Sequence, residues 1–372
     1  MSMQSIRIHC DLKLGWRFGR DVFNGILEAR QVGRWNWGMT CDLWKIDEVW
    51  SLPPDQEPQG VIGSFNHPAK IREWLKWDIP IVNVSDLRFE HPRVHTVTAD
   101  NLVIGRMAAD NLLERGFQSF GLVTDPAIPA ATHRGNSFKE MVSTRSPVRE
   151  HAWSFLEEMG RFLKDLPLLT GIFCPTDTIA RYVVTSLIRL GRHVPEEFAV
   201  IGVDDDPIQI GLSPVPLTSM DIRPREIGRI AAETLHDLLE GRPRPETVTV
   251  SPGGIITRQS SDLFAISDPA VITVLRRIRT MATDHVRTAD VLRPSDGARR
   301  TLERKFRTLL GRSIEEEIRR QRIEFAREML MNTRLSVEEV AEKCGFANAP
   351  HFSRSFKKAL GLSPGAFRSK AH

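Results

Sequence analysis

Between Ser5 and Asp262 the hydrophobic positions come in short consecutive runs. "SIRIHC" (5–10), "GVIGSF" (60–65), "IPIVNV" (79–84), "SFGLVT" (119–124), "GIFCPT" (171–176) and "FAVIGVD" (198–204) are apolar and rich in Val and Ile. Runs of this kind predict strands buried on both faces of a parallel sheet. The stretches between them, at about 21–30, 68–77, 100–115, 134–144, 154–165, 177–190 and 224–240, read as helices. Strand–helix alternation predicts doubly wound α/β layers. There are more elements than one compact sheet needs, which predicts two lobes with a cleft at the carboxyl ends of their strands.

The pattern changes after "GRPRPETVTVSPGGIITRQSSD" (241–262), a Pro- and Gly-bearing stretch with short β-prone runs that reads as the edge of the α/β region. Asp268 before Pro269 is a helix start, a capping side chain followed by Pro at the first helical position. From there the periodicity is helical throughout. The expected organisation is an α/β ligand-sensing domain over 1–262 and an all-α domain over 266–372.

Within the second part, "LSVEEVAEKCGF" (335–346) carries a capping box, Ser336 with Glu339, and ends on Gly345. Asn348 caps a further helix in which Phe352, Phe356 and Leu360 face inward. His351, Arg354, Ser355, Lys357 and Lys358 then face out. Two short helices joined by a Gly turn, the second with a basic face, make a helix-turn-helix at about 336–360. The design recurs 50 residues earlier. "TLERKFRTLLGRS" parallels "HFSRSFKKALGLS", with Arg304 opposite Arg354, Phe306 opposite Phe356 and Gly311 opposite Gly361. This predicts a first helix-turn-helix at about 287–311, with Arg299, Arg300, Arg304 and Arg307 outward. The long amphipathic segment 313–332 joins the two. Arg354 has the donors to read guanine, and Lys357 and Lys358 suit phosphates.

Charge supports this reading. Residues 266–372 hold 22 Lys and Arg against 13 Asp and Glu, a net of +9, while the rest of the chain carries 29 against 34, a net of −5. A basic segment on an otherwise acidic chain expects an anionic partner, here double-stranded DNA. Cys10, Cys41, Cys174 and Cys344 lie outside metal-ligand spacing and read as small core residues in a reducing compartment. No apolar run is long enough for a membrane span, and "MSMQSIRIHCDL" reads as a first strand rather than a signal peptide, so a cytoplasmic protein is expected. "KLGWRFGRD" has the wrong glycine spacing for a dinucleotide fingerprint, and there is no phosphate loop, Ser elbow or metal motif. Neither a cofactor nor a metal is expected.

The motif residues carry a resemblance. "CGFANAPHFSRSFKKALGLSPGAFR" and "RRQRIEFAREMLMNTRLSVEEVAEKCGF" resemble the DNA-binding domain of AraC/XylS-type transcription regulators. The resemblance implies base-reading positions at Arg300, Glu303 and Arg304 in the first motif and at Ala349, Pro350, His351 and Arg354 in the second. Pro294, Asp296 and Ala298 depart from the family pattern in the first motif. Ala349 and Pro350 bring no side-chain donors, which leaves thymine methyls or DNA shape.

The first 262 residues resemble the sugar-binding core of LacI/GalR-type repressors and periplasmic sugar-binding proteins, a two-lobed α/β fold. The match points are "VTADNLVIGRMAADNLLERGFQSFGLV" (97–123), "RGNSF" (134–138), "FCPTDTIA" (173–180), "HVPEEFAVIGVDDDPI" (193–208) and "SPVPLTSMDI" (213–222). Such a core joined to an AraC-type tail resembles the xylose-operon activators. The resemblance implies ligand contacts at Arg134, Asp177 and Asp204, and less directly at Arg20. Trp16 or Phe18 offers the aromatic plane a sugar ring packs on. The stretch 142–154 is shorter than the family's segment there, which puts a strand of the second lobe in question. The implied protein is a sugar-responsive activator, homodimeric, with operator DNA, a sugar effector and RNA polymerase as partners. Alternatives are an α/β sugar-modifying enzyme with a DNA-binding tail and a regulator that senses a non-sugar small molecule. A purely architectural DNA binder does not account for so large an α/β region.

Overall fold

The structure is a computed structural model. It describes residues 5–41, 57–153, 156–262, 268–282, 287–293 and 298–371. It divides into two compact units, Met1–Leu263 and Phe264–His372.

In the first unit, β1 (Ile6–Asp11), α1 (Arg17–Gly33), β2 (Trp37–Cys41), β3 (Gly60–Gly63), α2 (Pro68–Trp74), β4 (Ile81–Asn83) and β5 (Val94–Ala99) build one lobe. The chain then crosses to a second lobe made of α3 (Asn101–Glu114), β6 (Ser119–Thr124), α4 (Pro129–Val142), β7 (Val148–Ala152), α5 (Leu156–Asp165), β8 (Thr170–Phe173), α6 (Asp177–Arg189), β9 (Phe198–Ile201), α7 (Pro207–Leu212) and β10 (Ser219–Asp221). It returns through α8 (Pro224–Leu239) and β11 (Thr247–Val250) to the first lobe, and once more through β12 (Gly254–Ile256), which pairs antiparallel with β10. The first sheet runs β11-β5-β4-β3-β1-β2 and the second β7-β6-β8-β9, with parallel pairing throughout both. Every residue of β3, β8 and β9 is buried, as strands covered by helices on both faces must be.

Three passages between the lobes place α3 and α4 of the second lobe beside the crossing points. Asp100 caps α3 by accepting from the Val103 amide at 3.1 Å. Gly105 lets α4 come in so close that a Cβ there would meet the Arg134 carbonyl oxygen at 2.3 Å. That approach brings the Arg134 side chain to Asn101 at the start of α3.

The second lobe does contain a strand in the shortened stretch. β7 pairs with β6 from Phe120↔Val148 to Thr124↔Ala152, and the Trp153 amide extends the ladder to the Thr124 carbonyl oxygen at 2.6 Å. It escapes an apolar-run reading because it is an edge strand with Arg149, Glu150 and Ala152 exposed.

The second unit is helical among its described residues: α9 (Pro269–Met281), α10 (Thr288–Val291), α11 (Arg299–Leu310), α12 (Ile314–Asn332), α13 (Val337–Lys343), α14 (Ala349–Leu360) and α15 (Pro364–Ala371). Asp268 caps α9 through the Ala270 and Val271 amides. Ser313 with Glu316 and Ser336 with Glu339 form reciprocal capping boxes on α12 and α13. Ile323, Ala326, Leu330, Val340, Phe352 and Phe356 form one core around α12–α14.

Candidate effector cleft and nucleic-acid interface

The carboxyl ends of the strands of both lobes open on a cavity of about 350 Å³. Its wall includes Lys13, Trp16, Phe18, Asp86, Arg134 and Asp204. This is the size range of small-molecule pockets. Arg134 is buried. Its Nε donates to Asn101 Oδ1 at 2.7 Å and its Nη1 to the Pro175 carbonyl oxygen at 2.7 Å. Nη1 also lies 3.7 Å from Asp204 Oδ1. A guanidinium has five N–H groups, so these two bonds leave donors for a ligand. Burial lowers the Arg134 pKa against the opposing pull of Asp204. Burial likewise pushes the Asp204 carboxyl up to about 6, with Arg134 and Arg17 pulling the other way. Asp204 nonetheless keeps 28% of its side chain open.

Asp204 sits in a strained turn. Its φ is +110° and that of Asp205 is +50°, both unusual for residues with a side chain. The turn is held from every side. Arg17 Nη1 donates to the carbonyl oxygens of Asp204 and Asp205. Arg258 Nη2 donates to Asp205 Oδ1 at 2.7 Å. Ser219 Oγ accepts from the Asp205 amide at 3.0 Å.

Asp177 completes that clamp. Fully buried, it accepts from the Asp206 amide at 2.8 Å and from Ser219 Oγ at 2.6 Å. It lies behind the cleft wall, and its neighbours Thr176, Thr178 and Ile179 are the residues that line it. Gly202 makes room for this arrangement, since a Cβ there would come within 2.1 Å of Asp177 Oδ1. Burial raises the Asp177 pKa well above the usual carboxylate range, and the Asp204 charge adds to it.

Arg20 also stands off the cleft. Its Nη1 donates to the Leu14 and Gly15 carbonyl oxygens at 3.1 and 2.9 Å and so braces the loop that carries Lys13 and Trp16. Trp16, 57% exposed, and Phe18 line the wall directly. Trp153 faces the same cavity from the second lobe, next to Tyr182 at a ring separation of 5.0 Å. It follows β7, the strand sequence reasoning left in question, and an aromatic just past a strand end was the signal available. Asp86, which accepts from His133 Nδ1 across the cleft, and Lys13 were also missed.

In the helical unit, the two motifs superpose in design. Leu302, Phe306 and Leu310 are buried under α11, as Phe352 and Phe356 are under α14. Both helices close on a left-handed Gly, Gly311 and Gly361, whose amides bond the Arg307 and Lys357 carbonyl oxygens at 2.9 and 2.8 Å. Arg300, Arg304 and Arg307 are exposed and line one recess with Thr288, Thr308 and Ser313. Arg299 and Glu303 line it too, and Arg299 Nε donates to Glu303 Oε1 at 2.9 Å, so these two partly neutralise each other. On α14, Arg354, Lys357 and Lys358 are exposed. The ring of His351 meets that of Phe346 edge-on at 5.8 Å, and Ala349 packs on the core below. Pro350 is exposed in the first turn.

The motifs differ at their starts. Asn348 caps α14 by accepting from the His351 amide at 2.9 Å, whereas Ala298 stands at the N-cap of α11 with no side-chain bond. Pro294 and Asp296 lie outside the described residues.

Comparison with known proteins agrees with both halves. Residues 109–261 match the periplasmic binding protein-like domain family and residues 298–370 a helix-turn-helix domain family. The chain is 30% identical over 371 residues to the xylose operon regulatory protein of Escherichia coli (strain K12), covering 94% of each. It is 28% identical to the protein of that name from Haemophilus influenzae, covering 94% of this chain and 95% of the relative. Among solved structures, that of a xylose-binding transcription activator superposes with a TM-score of 0.79 at 28% identity, over 100% of this chain and 99% of the other.

Proposed function

The chain belongs to the family of xylose operon regulatory proteins, and from that premise we propose that it couples binding of a pentose such as xylose in the cleft to activation from an operator held by its two helix-turn-helix motifs. It is a transcription regulator and not an enzyme. The observation that carries the effector reading is the pairing of Arg134 and Asp204 on one cleft wall. A polyol needs acceptors and donors fixed side by side. The Asp204 carboxylate accepts from adjacent hydroxyls, and the free N–H groups of Arg134 donate to a ring or hydroxyl oxygen. Trp16 supplies an apolar face for the sugar ring. Asp177 and Arg20 act one step back: Asp177 holds the Asp204 turn and Arg20 holds the Trp16 loop.

On the DNA side, Arg300, Arg304 and Arg354 are the base readers in this proposal, with His351 and Glu303 beside them. Arg299, Arg307, Lys357 and Lys358 serve phosphates. A homodimer on two half-sites, with the outer face of α3 as part of its surface, and contact with RNA polymerase complete the proposal. The setting is the cytoplasm, where operator DNA lies. Among the described residues no helix is long and apolar enough to cross a membrane.

The test is thermal unfolding of the full chain against D-xylose, other pentoses and hexoses, together with operator binding. An effector at 100 times its dissociation constant adds roughly 2.7 kcal/mol to stability. Asp204→Ala should abolish that shift while leaving operator affinity in the absence of sugar unchanged. A wild-type response in Asp204→Ala would remove Asp204 from the site. A response to no sugar, with a response to another metabolite class, would replace the effector.

A further inference from the structure

Cys10 and Cys41 are far apart in sequence but are register partners at the ends of the adjacent parallel strands β1 and β2. Neighbouring strands lie about 4.8 Å apart, inside the Cα separation of roughly 4.4–6.8 Å that a disulfide spans. Side chains of register partners in a parallel pair point to the same face. The preceding pair shows it directly, since His9 and Thr40 are register partners and His9 Nδ1 lies 3.0 Å from Thr40 Oγ1. The two thiols also sense one another: burial pushes the Cys10 thiol far up, and the Cys41 charge pushes it further.

We propose that Cys10 and Cys41 are a redox modification site, closed to a reversible disulfide by a peroxide-class oxidant. Among the described residues β2 is the edge strand of its sheet, so no further strand pairs with its outer side. Cys10 is fully buried and Cys41 half-buried, which sets the order of events. The Cys41 thiolate attacks one peroxide oxygen, the O–O bond breaks, and with one proton the other oxygen leaves as water. Cys41 is then a sulfenic acid. The Cys10 sulfur attacks the Cys41 sulfur, the S–O bond breaks, and the hydroxyl leaves as a second water with the Cys10 proton. Two thiols and one peroxide thus give one disulfide and two waters. The bond would staple β2 to β1 beside the effector cleft. Cys10 is followed by Asp11, whose Oδ2 accepts from Trp74 Nε1 at 3.3 Å, and by the loop that carries Lys13 and Trp16.

The experiment treats the full-length protein with a small molar excess of hydrogen peroxide, blocks remaining thiols, and maps peptides by mass spectrometry. Expected are the loss of two of the four thiols per chain, a mass decrease of about 2 Da, a peptide linking Cys10 to Cys41, and full reversal by dithiothreitol. Cys41→Ala, at the half-buried member, should keep the Cys10 thiol intact under the same treatment. The proposal is overturned if Cys41 gains oxygen while the Cys10 thiol survives. It is equally overturned if the linked peptide contains Cys174 or Cys344, or if non-reducing gels show the link between two chains. The mapping on the wild-type protein decides the matter without relying on how the variant folds.

Discussion

Arginine does opposite work in the two units. Arg134 is buried, spends two donors on Asn101 and Pro175, and faces Asp204. Arg304 and Arg354 are exposed, with no ion pair to another described residue. In the first case the protein has already desolvated the charge and fixed it, and a ligand adds to a finished site. In the second the charge waits in water for a partner that brings the opposite sign. On the proposed function, exposure and local bonding, not residue type, separate a sensor's arginine from a reader's.

The largest effect should come from removing the buried one. Arg134→Ala strips Asn101 and Pro175 of their donor and leaves the Asp204 carboxylate without its neighbouring cation. Breaking a buried charged pair costs roughly 3–5 kcal/mol, so urea unfolding should shift by that amount. Arg304→Ala, on an exposed face, should change stability by no more than about 0.5 kcal/mol. Equal stability in the two variants would end the comparison.

The exposed arginines should show their effect only with DNA. Arg354→Ala should cost about 1–3 kcal/mol at the operator and relax choice at one base pair. Lys358→Ala should weaken operator and scrambled DNA alike and lower the salt slope by about one unit. Titrations at several salt concentrations separate the two. If Arg354→Ala weakens both DNAs equally, Arg354 is a phosphate anchor and reading falls to His351 or to DNA shape.

The pH response sharpens the contrast, because among the described residues the cleft holds a carboxyl, Asp204, pushed up to about 6. Asp204 ionises at about 6, above its ordinary value of 3.8. Between those values the folded chain binds a proton that the unfolded chain does not. Stability from this group therefore falls as pH rises through that window and is level above it. On the proposed function effector affinity runs the other way: a sugar hydroxyl would donate to the ionised form, so below pH 6 affinity should fall about tenfold per unit. Calorimetry at pH 5 and 7 checks it, and an unchanged affinity would mean that the sugar does not bond Asp204.

Much of this was legible in the chain because it rests on local rules. The caps at Asp268, Ser336 and Asn348, the left-handed Gly turns and the 50-residue repeat all stand in the helical unit as their spacing required. Two of the strands absent from the apolar runs have burial that does not track apolarity. In β5, "VHTVTA", every residue is buried although half are polar, and His95 reaches the Pro245 carbonyl at 2.9 Å. In β7 an edge position leaves charged residues on the surface. The cleft was half legible. Asp204 and Trp16 are on its wall, but the clamp on the Asp204 turn draws on Asp177, Ser219 and Arg258, which only the folded chain assembles. A strand-end carboxylate looks the same in sequence whether it faces a ligand or braces the residue that does.

The smallest predicted effect lies within the helical unit, where the two motifs share a fold but not a cap. Asn348 satisfies an orphan amide of α14, and Ala298 offers none to α11. Ala298 is exposed with extended backbone, φ −64° and ψ 120°, the conformation a capping side chain uses. Ala298→Ser should therefore stabilise by about 1 kcal/mol and Asn348→Ala should destabilise by about the same. Both are read by thermal unfolding of the full chain without DNA. The two shifts should be opposite in sign and similar in size, because each tests one hydrogen bond at the same place in the same design. A null result for Ala298→Ser beside a loss for Asn348→Ala would mean that the first turn of α11 already has its amides satisfied. The departure at Ala298 would then carry no cost, and the two motifs would differ only in the charges they present.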